Sequence, residues 1–350
     1  MAGRGAVAHD ATASLDGLRG LAALMVVASH ASGLGLNLVP GLSLAGMGKY
    51  GVYLFFVLSA YLLSAQWLQA WAQGQVSWSY LGHYLSKRVL RIYPLYALVL
   101  LIGLALAPRG LGVPLDAAAV WRHLTLQEGR DIYWSVPVEF LYYLCIPLLT
   151  GWLALRWPGG LRVLGVLLVL AVAHALFPAA ATPINSSNLG FYLPVFVAGS
   201  LCAWWMHATA PRASTAPRLL GVLDMLALLA LLCSAPAVYH AAGWARGPDA
   251  LHRSFVAWGL FWGLILVGML RGLLPYWVRV LQQSPWRACG RWCFGIYLLH
   301  MPALYAAKRL PLPETLRAWL GLALALTIAA LAYRLIERPA VNLWRGRVPS

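Results

Sequence analysis

Ten stretches of this chain are apolar over nearly the length needed to cross a lipid bilayer, and that constraint precedes every other. The runs lie at 15–36, 51–70, 92–107, 138–155, 161–177, 190–208, 219–238, 254–270, 292–308 and 317–336. Each approaches the roughly 20 helical residues that a hydrocarbon layer of about 30 Å requires, with the third and ninth short for a full crossing. With 61% of its 350 residues hydrophobic and 10% charged, the chain is too oily for a soluble domain of this size. The expected fold is all-α: a polytopic membrane bundle of about ten transmembrane helices. One domain over 15–339 accounts for the apolar runs, flanked by short tails at 1–14 and 340–350, and no internal repeat is evident. The first run is full length and reads as a retained helix rather than a cleaved leader.

Basic residues orient such a bundle, because cytoplasmic loops retain Lys and Arg and translocated loops lose them. With the N-terminus inside, 17 of the 26 Lys and Arg fall on inner segments, among them Arg19, Arg88, Arg91, Arg212, Arg291, Arg338 and Arg347. An even helix count returns the basic C-terminus to the same side. Most of the formal charge of +16 is therefore topological, and a nucleic-acid role, which needs a basic face outside the membrane, is excluded. Five cysteines, an odd number scattered in apolar spans, indicate no disulfide framework. Cys289 and Cys293 share a helical face but lack the His or carboxylate partners of a metal site, so no metal is expected.

Ionisable residues within the bilayer are costly and persist for a reason. In LDGLRGLAALMVVASH, Arg19 and His30 are eleven residues apart, which places them on one helical face about 16 Å apart along the axis. The intervening Ala22, Ala23, Val26 and Val27 either line a narrow path or simply pack. Arg19 also suits a snorkelling anchor and His30 an interhelical hydrogen bond. In YWSVPVEFLYY (133–143), Pro137 fits a first helical turn, Ser135 a cap, and Glu139 enters from the half that holds His30. A His30–Glu139 contact would fix the imidazole tautomer and leave the other nitrogen as a general base; complementing the helix dipole explains Glu139 as readily. SKRVLRIYPLY (86–96) reads as a cytoplasmic loop with Lys87, Arg88 and Arg91 on one face, suited equally to phosphate or to lipid headgroups.

Those segments, with GVYLFFVLSAYLL (51–63), FGIYLLHMP (294–302) and the terminal IERP (336–339), occur in the order found in the acyltransferase-3 family of membrane-bound O-acyltransferases, which the chain resembles over nearly its whole length. The resemblance implies a ten-helix bundle that moves an acyl group, usually acetyl, from cytoplasmic acyl-coenzyme A to an extracytoplasmic or lipid-exposed hydroxyl of a carbohydrate or glycosylated metabolite. It carries catalytic weight to Arg19, His30 and Glu139, and donor binding to Lys87, Arg88 and Arg91. An oxyanion partner is expected among Ser135, Tyr142 and Tyr143, and support for the site from His300. Trp134, with Trp121, Glu128, Asp131 and Tyr133 of the outer loop, is placed to hold a sugar, a role interfacial aromatics mimic. Family members commonly read Ser-Gly-Tyr where this chain has Ser59, Ala60 and Tyr61, so a close backbone approach there is expected to be relaxed. Many relatives carry a fused esterase-like domain; the resemblance here covers the transmembrane part without one. The competing class is an exporter of a lipid-linked or small molecule, which inverted repeats and paired broken helices would mark.

Overall fold

A computed structural model describes residues 2–109, 115–209, 217–243 and 249–345. Arg212 and Arg347 lie outside them. Sixteen α-helices follow one another: α1 (Ala2–Gly33), α2 (Gly48–Ala72), α3 (Trp78–Leu106), α4 (Ala117–Leu124), α5 (Ser135–Ala154), α6 (Gly159–Leu176), α7 (Leu189–Ala208), α8 (Pro217–Cys233), α9 (Pro236–Ala241), α10 (Asp249–His252), α11 (Phe255–Leu270), α12 (Pro275–Leu281), α13 (Ser284–Arg291), α14 (Cys293–Lys308), α15 (Glu314–Ala332) and α16 (Arg338–Arg345). No strand is assigned among the described residues.

Each of the ten apolar runs is largely helical, although 219–238 is broken between α8 and α9, and fewer than ten helices are long and apolar enough to cross a bilayer. Six qualify: Gly48–Ala72, Trp78–Arg109, Asp131–Ala154, Gly159–Leu176, Leu189–Ala208 and Glu314–Asn342. A seventh appears if α11 and α12, bent by 86° at their junction, count as one span. The shortfall has physical causes. α11 and α14 have 16 residues each, short of the roughly 20 required, and α1 carries Asp16 and Arg19 in its apolar part. The outer faces are lipid-like: Leu164, Leu167, Leu168, Val169 and Val172 of α6 are all exposed, an arrangement costly in water and neutral in hydrocarbon. The chain is a multi-pass membrane protein.

Two expected loops and tails are helical. The SKRVLRIYP segment is no loop; it lies inside α3, which runs for 29 residues through Pro94 and so spans roughly 44 Å. The N-terminal tail continues α1 back to Ala2, and α16 extends into the C-terminal one.

Helix α2 is the centre of the bundle, packed on α1, α5, α7 and α11. Two glycines set the closest approaches. A Cβ at Gly290 of α13 would stand 1.7 Å from the Asp16 carbonyl oxygen, so only glycine lets α13 lie against the part of α1 that presents Arg19. At Gly199 of α7 a Cβ would meet the Val57 carbonyl oxygen at 2.2 Å and Ala60 Cβ at 2.9 Å. The approach expected to be relaxed at Ala60 is instead close, with the glycine supplied by the facing helix. Buried hydroxyls tie this seam, with Ser200 within 2.7 Å of both Ser64 and Tyr142.

Candidate active site

One face of α2 opens inward. Val52, Phe55, Phe56, Ser59, Leu62, Leu63 and Gln66 recur at helical spacing along a cavity of about 290 Å³, whose other walls come from α1, α3, α5 and α14. Arg19, Arg88 and Arg91 line it, opposite Glu139, Ser135 and Tyr143. Three guanidinium groups and one carboxylate therefore share a chamber within an apolar bundle. Arg88 and Arg91 are one turn apart on α3, and the Arg88 guanidinium lies 5.9 Å from the Tyr143 ring centroid. Lys87 is exposed on another side of α3 and does not line the cavity. The basic triplet thus divides, because a helix presents i and i+3 together but turns the next residue away.

Arg19 and Arg91 also line a second pocket of about 300 Å³ with Arg291, Arg338, Asp16, Glu337 and Asn342. The two arginines form the partition between an open basic vestibule and the inner chamber. Arg19 has a loose ion pair with Asp16 at 3.5 Å. Glu337 is buried, and its Oε1 lacks a hydrogen-bond partner.

The expected His30–Glu139 pair does not form; each has another partner. Ser59 Oγ donates to Glu139 Oε1 at 2.6 Å. His30 Nδ1 lies 2.8 Å from His300 Nε2, with the rings stacked at 4.9 Å. The tautomers follow from the network. His300 Nδ1 faces the Tyr297 carbonyl at 2.7 Å and that of Ile296 at 3.1 Å, so it carries a proton and its Nε2 accepts. His30 Nδ1 must then donate, which leaves His30 Nε2 as the basic nitrogen. The arrangement expected of a carboxylate is made by a second imidazole.

His30 does not line the chamber, and the small-residue stripe is no path: Ala22, Ala23, Val26 and Val27 are fully buried. Sharing a face along one helix does not place two residues in one compartment when that face meets successive neighbours. Tyr297 connects the two stations. Its ring centroid is 6.3 Å from that of His300, its hydroxyl bonds to the Ile132 carbonyl, and Ser135 Oγ donates to it at 2.8 Å on the chamber side. Ser135 is therefore no helix cap. A 3₁₀ turn at Asp131–Trp134 feeds directly into α5 and frees the hydroxyl for Tyr297.

Other expected residues fall outside the chamber. Tyr142 turns to Ser200 and stacks on Phe196. Trp134 is buried against Phe56 and Tyr192, with the Lys49 ammonium 4.3 Å from its ring, so it packs rather than presents a sugar platform. In the outer loop, Tyr133 is buried, Trp121 and Asp131 are exposed, and Glu128 pairs with Arg122 and Arg130. Arg122 and then Arg130 hold the Glu128 carboxyl below its usual range. Cys289 and Cys293 are split between α13 and α14 by the break at Trp292; Cys289 packs in the core while Cys293 also lines the chamber.

Sequence reasoning missed Ser59, Tyr297, Glu337, Arg291 and Arg338 as site residues. The spacing of 52, 55, 56, 59, 62, 63 and 66 on α2 carried the signal for Ser59, and IERP for Glu337.

An apolar bundle whose arginine-lined chamber adjoins a carboxylate–hydroxyl pair and an oriented imidazole defines a membrane group-transfer enzyme. The chain belongs to the acyltransferase-3 family, whose acyltransferase domain matches residues 12–334. It is 25% identical to the peptidoglycan O-acetyltransferase OatA of Listeria monocytogenes, an alignment covering 95% of this chain and 57% of that relative. It is also 31% identical to Protein 2 in the picA locus of Rhizobium radiobacter over 47% of this chain and 74% of the relative. The chain thus spans little more than half the length of the O-acetyltransferase it matches. No solved structure matches it.

Proposed function

We propose that this protein transfers an acyl group, acetyl foremost, from acyl-coenzyme A to a hydroxyl of a carbohydrate or glycosylated metabolite. The observation that carries this reading is the chamber itself: Arg88 and Arg91, with Arg19 at its entrance, face Glu139, whose carboxylate accepts from Ser59. A guanidinium offers fixed, bidentate donors to phosphate oxygens, so the basic vestibule and partition suit the diphosphate of a coenzyme A thioester, with its arm reaching the chamber. The positive-inside bias supports an N-terminus, a C-terminus and a vestibule on the cytoplasmic side of the cell membrane, in a ten-helix bundle. His30, with Nε2 basic and its ring fixed by His300, is the base for an acceptor approaching from the opposite end. The Tyr143 hydroxyl, on the chamber wall, is the candidate donor to the oxyanion, since Ser135 already donates to Tyr297. An exporter reading would draw on the bent α11–α12 pair, but neither helix contributes a residue to the chamber.

The test uses membranes holding the full chain, labelled acetyl-coenzyme A and a panel of glycan and glycosylated acceptors. Ester-linked label on an acceptor, lost in His30→Ala, is expected. Release of unmodified substrate across the membrane with no ester formed would overturn the reading in favour of export.

A further inference from the structure

Hydroxyls on membrane helices can donate back to the carbonyl four residues earlier. Thr150, Thr209 and Thr327 do so here, with carbonyl contacts of 2.7, 2.6 and 2.9 Å. Ser59 instead donates across the chamber to Glu139 Oε1 at 2.6 Å. It is half-buried on a helix most of whose residues are buried, and it lines the chamber. A hydroxyl within 2.6–3.2 Å of a carboxylate, inside a cavity and beside cationic groups, is the arrangement of an activated nucleophile. The base expected to serve the acceptor, His30, stands behind Tyr297 in a separate compartment. Two bases at two stations fit two chemical steps better than one.

We propose that Ser59 carries the acyl group as a covalent ester between donor and acceptor, an inference that rests on the acyl-transfer reading above. In the first step Glu139 takes the Ser59 hydroxyl proton and Oγ attacks the thioester carbonyl. The Oγ–C bond forms, the C–S bond breaks, and coenzyme A leaves as its thiolate toward Arg88 and Arg91. In the second step the acceptor hydroxyl attacks the Ser59 ester and its proton passes to His30 Nε2. The new O–C bond forms, the C–Oγ bond breaks, and Glu139 returns its proton to Ser59. His30 then releases its proton to water and the thiolate takes one up, so the sum is thioester plus alcohol giving ester plus thiol.

The experiment incubates the full-length protein in membranes with radiolabelled acetyl-coenzyme A and no acceptor, quenches in acid and locates label by peptide mass analysis. Acetyl on the peptide containing Ser59 is expected in the wild type. It disappears in Ser59→Ala, and falls by about a hundredfold in rate in Glu139→Gln. In His30→Ala it accumulates and is not discharged when acceptor is added, an outcome that a purely structural role for Ser59 does not produce. Ser59→Cys keeps a nucleophile in place and is expected to yield a hydroxylamine-sensitive thioester. Transfer by Ser59→Ala within about twofold of wild type, with no label on the wild-type serine, overturns the covalent step and leaves acyl transfer standing. Failure of the wild type to consume any acyl-coenzyme A overturns both.

Discussion

Replacing His300 by Phe isolates the contribution of the imidazole pair. The substitution removes an acceptor that meets His30 Nδ1 at 2.8 Å inside the bundle and leaves that N–H unpaired and the ring free to turn. Stranding a buried donor costs about 1–3 kcal/mol. If that cost falls on the step in which Nε2 must be correctly aimed, kcat drops about 5- to 150-fold, at roughly 1.4 kcal/mol per tenfold. Donor KM should stay within about twofold, because no His300 atom lines the arginine chamber. His300→Gln restores an acceptor oxygen near the Nε2 position and should recover much of the loss. The assay is transfer of labelled acetyl in membranes, with detergent melting curves confirming that all variants fold. A His300→Phe protein with wild-type kcat, alongside an inactive His30→Ala, would refute the argument that tautomer and orientation are set by this contact.

The remaining predictions concern donor binding and the outer loop. Arg88→Ala should raise donor KM about tenfold or more, whereas Lys87→Ala should change it less than about twofold, since Lys87 does not reach the chamber; titration of initial rates against acetyl-coenzyme A distinguishes them. The fully buried His123 donates from Nδ1 to the Ala119 carbonyl and accepts from the Arg130 backbone N–H at Nε2. Burial lowers its proton affinity below the ordinary histidine range. The neutral form is therefore the folded form: its stabilisation is complete above about pH 6.5 and is lost as the pH falls below that value. Hydrogen exchange across 117–134, taken as protection relative to the intrinsic amide rate at each pH, should show lower protection at pH 5 than at pH 7 in the wild type; a protection factor that stays flat between the two contradicts this.

Much of the fold was legible because hydrophobic length is a local property. Nine of the ten runs centre on a single helix, 219–238 being broken between α8 and α9, and Arg88, Arg91 and Glu139 do meet in one chamber. What the sequence withheld was the choice of partners. His30 and His300 are 270 residues apart, and Ser59 and Glu139 80 apart, so only helix packing decides which imidazole or carboxylate meets which donor. The common azimuth of Arg19 and His30 on α1 misled for a related reason: it fixes direction about one axis and says nothing about which neighbour lies there. The basic segment read as a loop because its charges interrupt the apolar run, while α3 continues through them with Arg88 and Arg91 turned inward.

Tyr297 stands at the boundary between chamber and dyad, its hydroxyl tied to Ser135 and Ile132 and its ring beside His300. Thioesters are prone to attack by water, and a catalyst that stores one next to a free base squanders it. Here the imidazole base, His30, is insulated from the chamber. On the proposed acyl-transfer reading, a water activated at His30 would meet an aromatic ring before it met a thioester in the chamber, so idle consumption of donor through that base would be suppressed. Tyr297→Ala should convert the protein into a leaky thioesterase, measured as acceptor-independent release of coenzyme A thiol.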